Sequence, residues 1–217
     1  EMCIRDRFSI ASQHYDFLPP LITAFSKCND NFSYFRIFES TTIRILDEVA
    51  RGNSEIGIIY INSQNKKGLL QRLDKLGLEF VELIPFKTHI YLGKDHPLAS
   101  KTSLIMTDLE GLPTVRFTQD RDDYRYYSEN FVEVLDSSVT YNVTDRATLN
   151  GILERTQAYA TGSGFLDSRS VNGITVIPLE DHLDNQMIYI KRKDRNLSQM
   201  ALKFVAVMEE YFKGFNS

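Results

Sequence analysis

Residues 8–25, FSIASQHYDFLPPLITAF, predict a strand that runs through a polar loop into a helix. The apolar start is of strand length, and the loop consists of Ser12, Gln13 and His14. The helix positions with the i, i+3, i+4, i+7 spacing of a buried face are Leu18, Leu21, Ile22 and Phe25. Pro19 and Pro20 fit only the first turn of that helix, where a missing N–H costs nothing. Because helix starts present unpaired N–H groups, this junction indicates a site for a small anion or polar ligand.

The following segments alternate between strand and helix as far as residue 61. Residues 34–38 favour a strand, residues 39–42 supply an N-cap for a helix that ends at Gly52, and residues 55–61, EIGIIYI, form a continuous apolar run. Such a run is typical of a strand covered by helices on both faces. We therefore expect a parallel, right-handed α/β unit, followed by a leucine-rich helix, a break at Gly77 and a strand over residues 80–85.

The pattern restarts at His89. Capping patterns predict a short helix that begins at Thr107 and another that Thr144 caps. Further helices are expected over residues 124–135 and from Ser198 onward. The expected strands are residues 89–93, 114–117, 139–143, 158–165 with a glycine bend, 175–178 and 187–191. The strand-to-helix junction at Thr144 has the same chemistry as the one after residue 11, so the sequence predicts one ligand cleft between two lobes.

Composition narrows the classes of function. The 217 residues carry a formal charge of −4 with a pI near 5.6, so this chain is a poor candidate for a nucleic-acid-binding surface. Two cysteines, Cys3 and Cys28, give no disulfide framework, and reduced thiols in a cytoplasmic protein are expected. No apolar run has membrane-spanning length. Residues 1–7 are interpreted as a linker or a cloning remnant.

The sequence contains no recognisable motif for catalysis or cofactor binding. We therefore predict that the chain is not an enzyme. The segment TGSG at residues 161–164 lacks the lysine of a phosphate loop, which favours a plain bend. The four histidines have no metal-binding spacing, so no metal or cofactor is expected. His14 either contacts a ligand or is an ordinary loop residue. Arg146 lies in the first turn of the predicted helix, where the helix dipole disfavours a positive charge. Either a nearby carboxylate pairs with it, or it binds an anionic effector.

Four segments of the sequence resemble, in their order along the chain, the effector-binding domain of LysR-type transcriptional regulators. The last of them resembles the regulators of Gram-positive bacteria in particular. The segments are IASQHYDFLPPLITAF, RGNSEIGIIYI, GKDHPLASKTSLIMTDLEGLPTVRF and VTDRATLNGIL. The resemblance implies an α/β fold like the type 2 periplasmic binding proteins, with two lobes that are each a mixed sheet flanked by helices. Residues 8–86 and 185–217 would form lobe I, and residues 87–184 would form lobe II.

The same resemblance implies a small, polar or anionic effector in the interlobe cleft. Carried onto this sequence, with His14 added from its place in the loop, the ligand-binding residues would be Ser12, Gln13, His14, Tyr60, Thr118, Thr144 and Asp145. Tyr60 departs from the small hydroxyl residue of several relatives. A helix-turn-helix domain, absent from this chain, would bind DNA. The domain would pair through its first helix and second strand as a homodimer, with tetramers in the full-length protein. A solute-binding protein of a transporter is the alternative.

Overall fold

The computed structural model describes residues 7–27, 34–118, 127, 129–132, 137–166, 172–180 and 184–215. The chain divides into two compact units: unit 1 comprises Glu1–Ile84 and Gln186–Ser217, and unit 2 comprises Pro85–Asn185. Cys3, Cys28 and His182 fall outside the described residues.

Unit 1 is a five-stranded mixed sheet flanked by helices. Its strands are β1 (Arg7–Ser12), β2 (Tyr34–Glu39), β3 (Ile56–Ile61), β4 (Leu78–Phe86) and β10 (Asn185–Arg192), in the order β2-β1-β3-β10-β4. Its helices are α1 (Leu18–Lys27), α2 (Thr42–Ala50), α3 (Lys66–Lys75) and α5 (Gln199–Lys213). β1 pairs in parallel with β2 and with β3, as the sequence predicts, whereas β10 runs antiparallel to β3.

The core of unit 1 follows from the apolar periodicity. All six residues of β3 are buried, and Leu18, Leu21 and Phe25 form the buried face of α1. Ile22 is only half-buried. Gly52 has a φ of 74°, so the left-handed position predicted after α2 is confirmed.

Unit 2 is a second five-stranded mixed sheet. Its strands are β5 (His89–Gly93), β6 (Thr114–Phe117), β7 (Thr140–Val143), β8 (Tyr159–Gly162) and β9 (Ile174–Pro178), in the order β7-β6-β8-β5-β9. Its described α-helix is α4 (Arg146–Leu153). Successive residues of one strand lie in different core clusters: Ile90 and Leu92 pack in one, and Tyr91 packs in the other. Both faces of this sheet are therefore covered.

Two helix predictions in unit 2 were wrong in detail. The short helix predicted to open at Thr107 is a 3₁₀ helix, Met106–Leu109, with Ile105 as its N-cap; the Asp108 carboxylate accepts the Ile105 N–H at 3.0 Å. The helix expected over residues 124–135 is not formed at residues 129–132. There the Phe131 N–H donates to the Thr161 hydroxyl at 3.2 Å and the ring packs on Phe86, so tertiary contacts override the local periodicity. Most of the remaining segment lies outside the described residues.

Candidate functional site

The Gln13 side chain is the centre of a buried hydrogen-bond network at the carboxyl end of β1. It is 1% exposed. Its amide nitrogen donates to Thr42 Oγ1 at 2.7 Å, and its amide oxygen accepts the Tyr15 hydroxyl at 2.5 Å and the Tyr60 N–H at 3.2 Å. These bonds join the loop after β1 to the start of α2 and to β3. We call these four residues, Gln13, Tyr15, Thr42 and Tyr60, the Gln13 network.

The other residues predicted in unit 1 lie beside this network. Ser12 is fully buried, and its hydroxyl donates to the Gln13 carbonyl at 2.8 Å. The Ser12 carbonyl accepts the Ser40 N–H at 3.0 Å, which fixes the loop against the end of β2. Tyr60 is 3% exposed, whereas His14 is half-buried. The structure therefore brings Ser12, Gln13 and Tyr60 together at one edge of the unit 1 sheet.

The start of α2 adds main-chain chemistry to that edge. Thr41 holds the N-cap position but makes no side-chain capping bond, and the Thr42 hydroxyl accepts from Gln13 instead. A helix N-terminus favours an anion or a hydrogen-bond acceptor because its first N–H groups lack intrahelical partners. The sequence pointed to these threonines only as caps. Their link to Gln13 had no sequence signal.

In unit 2, Thr118 and Thr144 lie at equivalent places on neighbouring strands. β6 and β7 are parallel, with Phe117 opposite Val143, so Thr118 and Thr144 each come directly after a paired strand end. The Thr118 N–H donates to the Val143 carbonyl at 2.8 Å. Thr118 is half-buried and Thr144 is exposed. The carboxyl ends of parallel strands are the usual place for ligands in α/β sheets.

Asp145, and not Thr144, caps α4, which corrects the prediction by one residue. One carboxylate oxygen of Asp145 accepts the Thr148 N–H at 2.9 Å, and the other accepts the Thr148 hydroxyl at 2.8 Å. Aspartate is a strong N-cap because its negative charge also offsets the positive end of the helix dipole. The charge of Asp145 therefore disfavours an anionic group at this helix start and favours a hydroxyl or amine donor.

The glycines of residues 161–164 are explained by packing. A Cβ atom on Gly162 would lie 2.1 Å from the Tyr91 ring, and one on Gly164 would lie 2.4 Å from the His89 ring. Gly164 has a φ of 76°, and its N–H donates to the Tyr91 hydroxyl at 3.1 Å. This N–H is already used within the protein, which supports the interpretation of a bend and not a phosphate loop.

Two further observations bear on the class of protein. Among the residues that the structure describes, no group of three or more His, Cys, Asp or Glu side chains is arranged to hold a metal ion. Within the same residues, no helix combines the length and apolar character that crossing a membrane requires.

Comparison with known proteins gives the family. The family model of the LysR substrate binding domain matches residues 6–213. A search of curated proteins found no match. Similar solved structures include a putative LysR family transcriptional regulator from Pseudomonas aeruginosa, with 14% identity, a TM-score of 0.67, and coverage of 98% of this chain and 74% of that chain.

Two similar structures hold a small molecule. The effector-binding domain of QuiR in complex with shikimate has 15% identity and a TM-score of 0.66, with 97% of this chain and 98% of that chain covered. The BenM effector-binding domain with benzoate has 11% identity and a TM-score of 0.67, with 97% and 93% covered. The predicted α/β fold of the periplasmic-binding-protein type, with two mixed sheets flanked by helices, is confirmed. Because the family model spans nearly the whole chain, the protein belongs to the LysR substrate-binding domain family, the non-enzymatic, ligand-sensing regulatory domains of LysR-type transcriptional regulators.

Proposed function

We propose that this domain binds a small polar or anionic metabolite through Ser12, Gln13, His14 and Tyr60 of unit 1 and Thr118, Thr144 and Asp145 of unit 2. Ligand binding then modulates DNA binding by a helix-turn-helix domain outside this chain. QuiR and BenM, whose effector domains share this fold, were solved with shikimate and benzoate. Because a regulator of this kind acts on DNA, the proposed location is the cytoplasm.

The observation that supports the proposal most is the placement of polar residues in each unit. Ser12 and Gln13 end β1, which pairs in parallel with β2 and β3, and Thr118 and Thr144 follow the parallel pair β6 and β7. In both sheets, polar side chains therefore lie at the carboxyl ends of parallel strands. Ligands of α/β proteins collect at such edges because helix starts and strand ends leave N–H and C=O groups there.

The starts of α2 and α4 favour different chemical groups on a ligand. At α2, where Thr41 makes no capping bond, the helix start favours an acceptor such as a carboxylate. At α4 the Asp145 carboxylate favours a hydroxyl donor. A hydroxylated carboxylic acid satisfies both. Each neutral hydrogen bond is expected to contribute about 1 kcal/mol net, so several are needed for micromolar affinity.

The test is a calorimetric titration with a panel of hydroxylated and simple carboxylic acids that includes shikimate and benzoate. Thr144→Val should weaken binding of the responding compound about fivefold, because it removes one hydroxyl and keeps the side-chain shape. Thr140→Val, at the other end of β7 and equally exposed, is the matched control and should bind like the native domain. Equal affinity in all three proteins would contradict the proposed site.

We also propose a homodimer formed through α1 and β2. β2 is at the edge of the unit 1 sheet, and it exposes Tyr34 by 44% and Ile37 by 42%. Exposed apolar side chains on an edge strand are a common mark of an interface, because the strand also offers unpaired backbone groups.

A further inference from the structure

A cavity of about 360 Å³ lies at the amino end of the unit 1 sheet, at the opposite end of β1 from Gln13. Its walls are the start of β1, the loop between α2 and β3, the end of β10 and the loop before α5. Pockets that hold small metabolites begin at about 300 Å³. The cavity is therefore large enough for a small ligand, and every residue that lines it belongs to unit 1.

Two guanidinium groups converge on this cavity beside Gly52. A Cβ atom at Gly52 would lie 3.5 Å from Arg192 Nη1 and 3.8 Å from Arg195 Nη1, so both nitrogens lie within 4 Å of one point. Gly52 has a φ of +74° and no side chain, which leaves the space that the two groups occupy. The cavity therefore has N–H donors of two arginines beside the same glycine.

The carboxylates nearby compensate only part of that charge. Asp194 binds Arg192 with both oxygens, at 2.8 and 2.6 Å. Lys191, which also lines the cavity, is paired with Glu79. Arg195 makes no hydrogen bond or ion pair with any carboxylate that the structure describes. Its positive charge is felt only at a distance by Asp194, whose pKa is lowered first by the bond to Arg192 and, to a smaller extent, by Arg195.

The acidic residue in the cavity wall, Glu55, is engaged elsewhere. Its two carboxylate oxygens accept the N–H and the hydroxyl of Ser198, the residue that caps α5. This position beside a helix N-terminus offsets the negative charge of Glu55. Glu55 therefore does not neutralise Arg195, and the cavity keeps an uncompensated guanidinium.

We propose that this cavity binds a phosphate group, either free phosphate or the phosphate of a small metabolite, with Arg195 as its main ligand. A guanidinium donates two parallel N–H bonds to a phosphate. Arg192 is a secondary donor through Nη1 only, because its Nε and Nη2 bind Asp194 and its Nη1 also donates to the Ala50 carbonyl at 3.4 Å. Ser9 also lines the cavity, but its hydroxyl is bonded to the Ser54 hydroxyl at 3.1 Å and accepts from Arg36 at 3.3 Å. This site is distinct from the proposed effector residues, which lie at the carboxyl ends of the strands.

Isothermal titration of the full chain tests the proposal, with inorganic phosphate, glycerol 3-phosphate and malonate as probes at constant ionic strength. We expect saturable binding of at least one phosphate compound, and tighter binding of glycerol 3-phosphate than of phosphate identifies a metabolite as the occupant. Arg195→Gln should weaken this binding about tenfold or more, because it removes a charge-assisted contact. Its fold should be intact, since the Arg195 side chain makes no hydrogen bond or ion pair with the residues that the structure describes.

Lys203→Gln is the matched control. It removes one positive charge from an exposed position of α5, outside the cavity, and should bind phosphate like the native chain. Absence of saturation with every probe, a preference for malonate, or an equal loss in both variants would overturn the proposal. Thr144→Val should leave phosphate binding unchanged, so a failure of this site and a failure of the effector site are separate results.

Discussion

Gln13 shows how one residue in a predicted ligand loop also holds the fold together, through three buried side-chain hydrogen bonds. The sequence identifies the loop, because a polar segment follows an apolar strand and precedes a helix. It does not identify the partners of Gln13, which lie 2, 29 and 47 positions away and meet only in the folded unit. Convergence of this kind leaves no periodic signal.

Gln13→Ala is therefore expected to be strongly destabilising. It removes three buried hydrogen bonds, those with the Thr42 hydroxyl, the Tyr15 hydroxyl and the Tyr60 N–H, and each is expected to contribute about 1 kcal/mol. Urea unfolding should show a loss of about 3 kcal/mol or more. Gln64→Ala, at an exposed position before α3, is the control and should change stability by less than about 0.5 kcal/mol. A loss below 1 kcal/mol for Gln13→Ala would contradict the network.

His96 is a second residue whose role is set by its neighbours. Burial lowers its pKa below the ordinary value of 6.5, although the contact of Nε2 with the Gln157 carbonyl raises it in part. Nδ1 accepts the Leu98 N–H at 3.1 Å, so the neutral ring carries its proton on Nε2. The chain turns at His96, whose N–H donates to the Gly93 carbonyl at 3.0 Å.

A pH dependence follows from that lowered pKa. Below pH 6.5 the unfolded chain takes up a proton at His96 before the folded domain does, so stability falls as the pH drops from 6.5 through the folded pKa. The free-energy difference between the native domain and His96→Asn should be constant above about pH 7.5 and should shrink at lower pH. Urea unfolding at a series of pH values measures it, and a constant difference down to about pH 5 would refute the assignment.

At the scale of elements, the sequence predicts most of the order of strands and helices because apolar spacing reports burial directly. It is less reliable at helix starts, where several polar residues in a row can all cap. Asp145 holds the N-cap position that the pattern assigned to Thr144, and Ile105 holds the one that lies two residues before the predicted start of the short helix. The last helix was expected to begin at Ser198, and this residue is its N-cap, with the hydroxyl accepting the Ala201 N–H at 3.1 Å. The choice depends on which side chain reaches the first turn.

Packing of α5 on unit 1 depends on an aromatic cluster. The Phe204 ring is fully buried, and its centroid lies 5.4, 5.2 and 5.8 Å from those of Phe8, Phe25 and Phe35. Phe204→Ala should reduce the free energy of unfolding by about 3–5 kcal/mol, because it opens a cavity among α5, α1, β1 and β2. Leu202→Ala, two residues away and 48% exposed, should cost less than about 0.5 kcal/mol in the same urea titration. Similar losses in both variants would be inconsistent with the cluster.

For the whole molecule, composition and charge make a nucleic-acid-binding surface a poor candidate but do not specify the fold. The division into two units, with the chain returning to unit 1 at Gln186, came from the restart of the strand pattern at His89 and from the resemblance to a family. The proposed ligand-binding residues of each unit were chosen on the same two grounds. The cavity beside Gly52 was not predicted, because its walls combine the loop at Gly52 with basic residues that lie about 140 positions later in the chain, Arg192 and Arg195.

The proposed homodimer depends on which edge strand of the unit 1 sheet is available to a partner. β2 and β4 are the two edges. β2 exposes Ile37, and its basic residue Arg36 is bound to Glu48 at 2.6 Å, so this charge is directed to α2 and does not protect the edge. Ile37→Asp should convert the proposed homodimer to a monomer in sedimentation equilibrium, because a buried carboxylate at an interface is costly.

Val81→Asp is the matched control for that experiment. Val81 is 36% exposed on β4, the opposite edge of the same sheet, so the substitution introduces the same charge on an equally open strand. The proposed interface predicts that Val81→Asp stays dimeric while Ile37→Asp does not. A monomeric native domain would contradict the homodimer itself, and dissociation by Val81→Asp alone would assign the association to β4, since the test changes only which edge carries the charge.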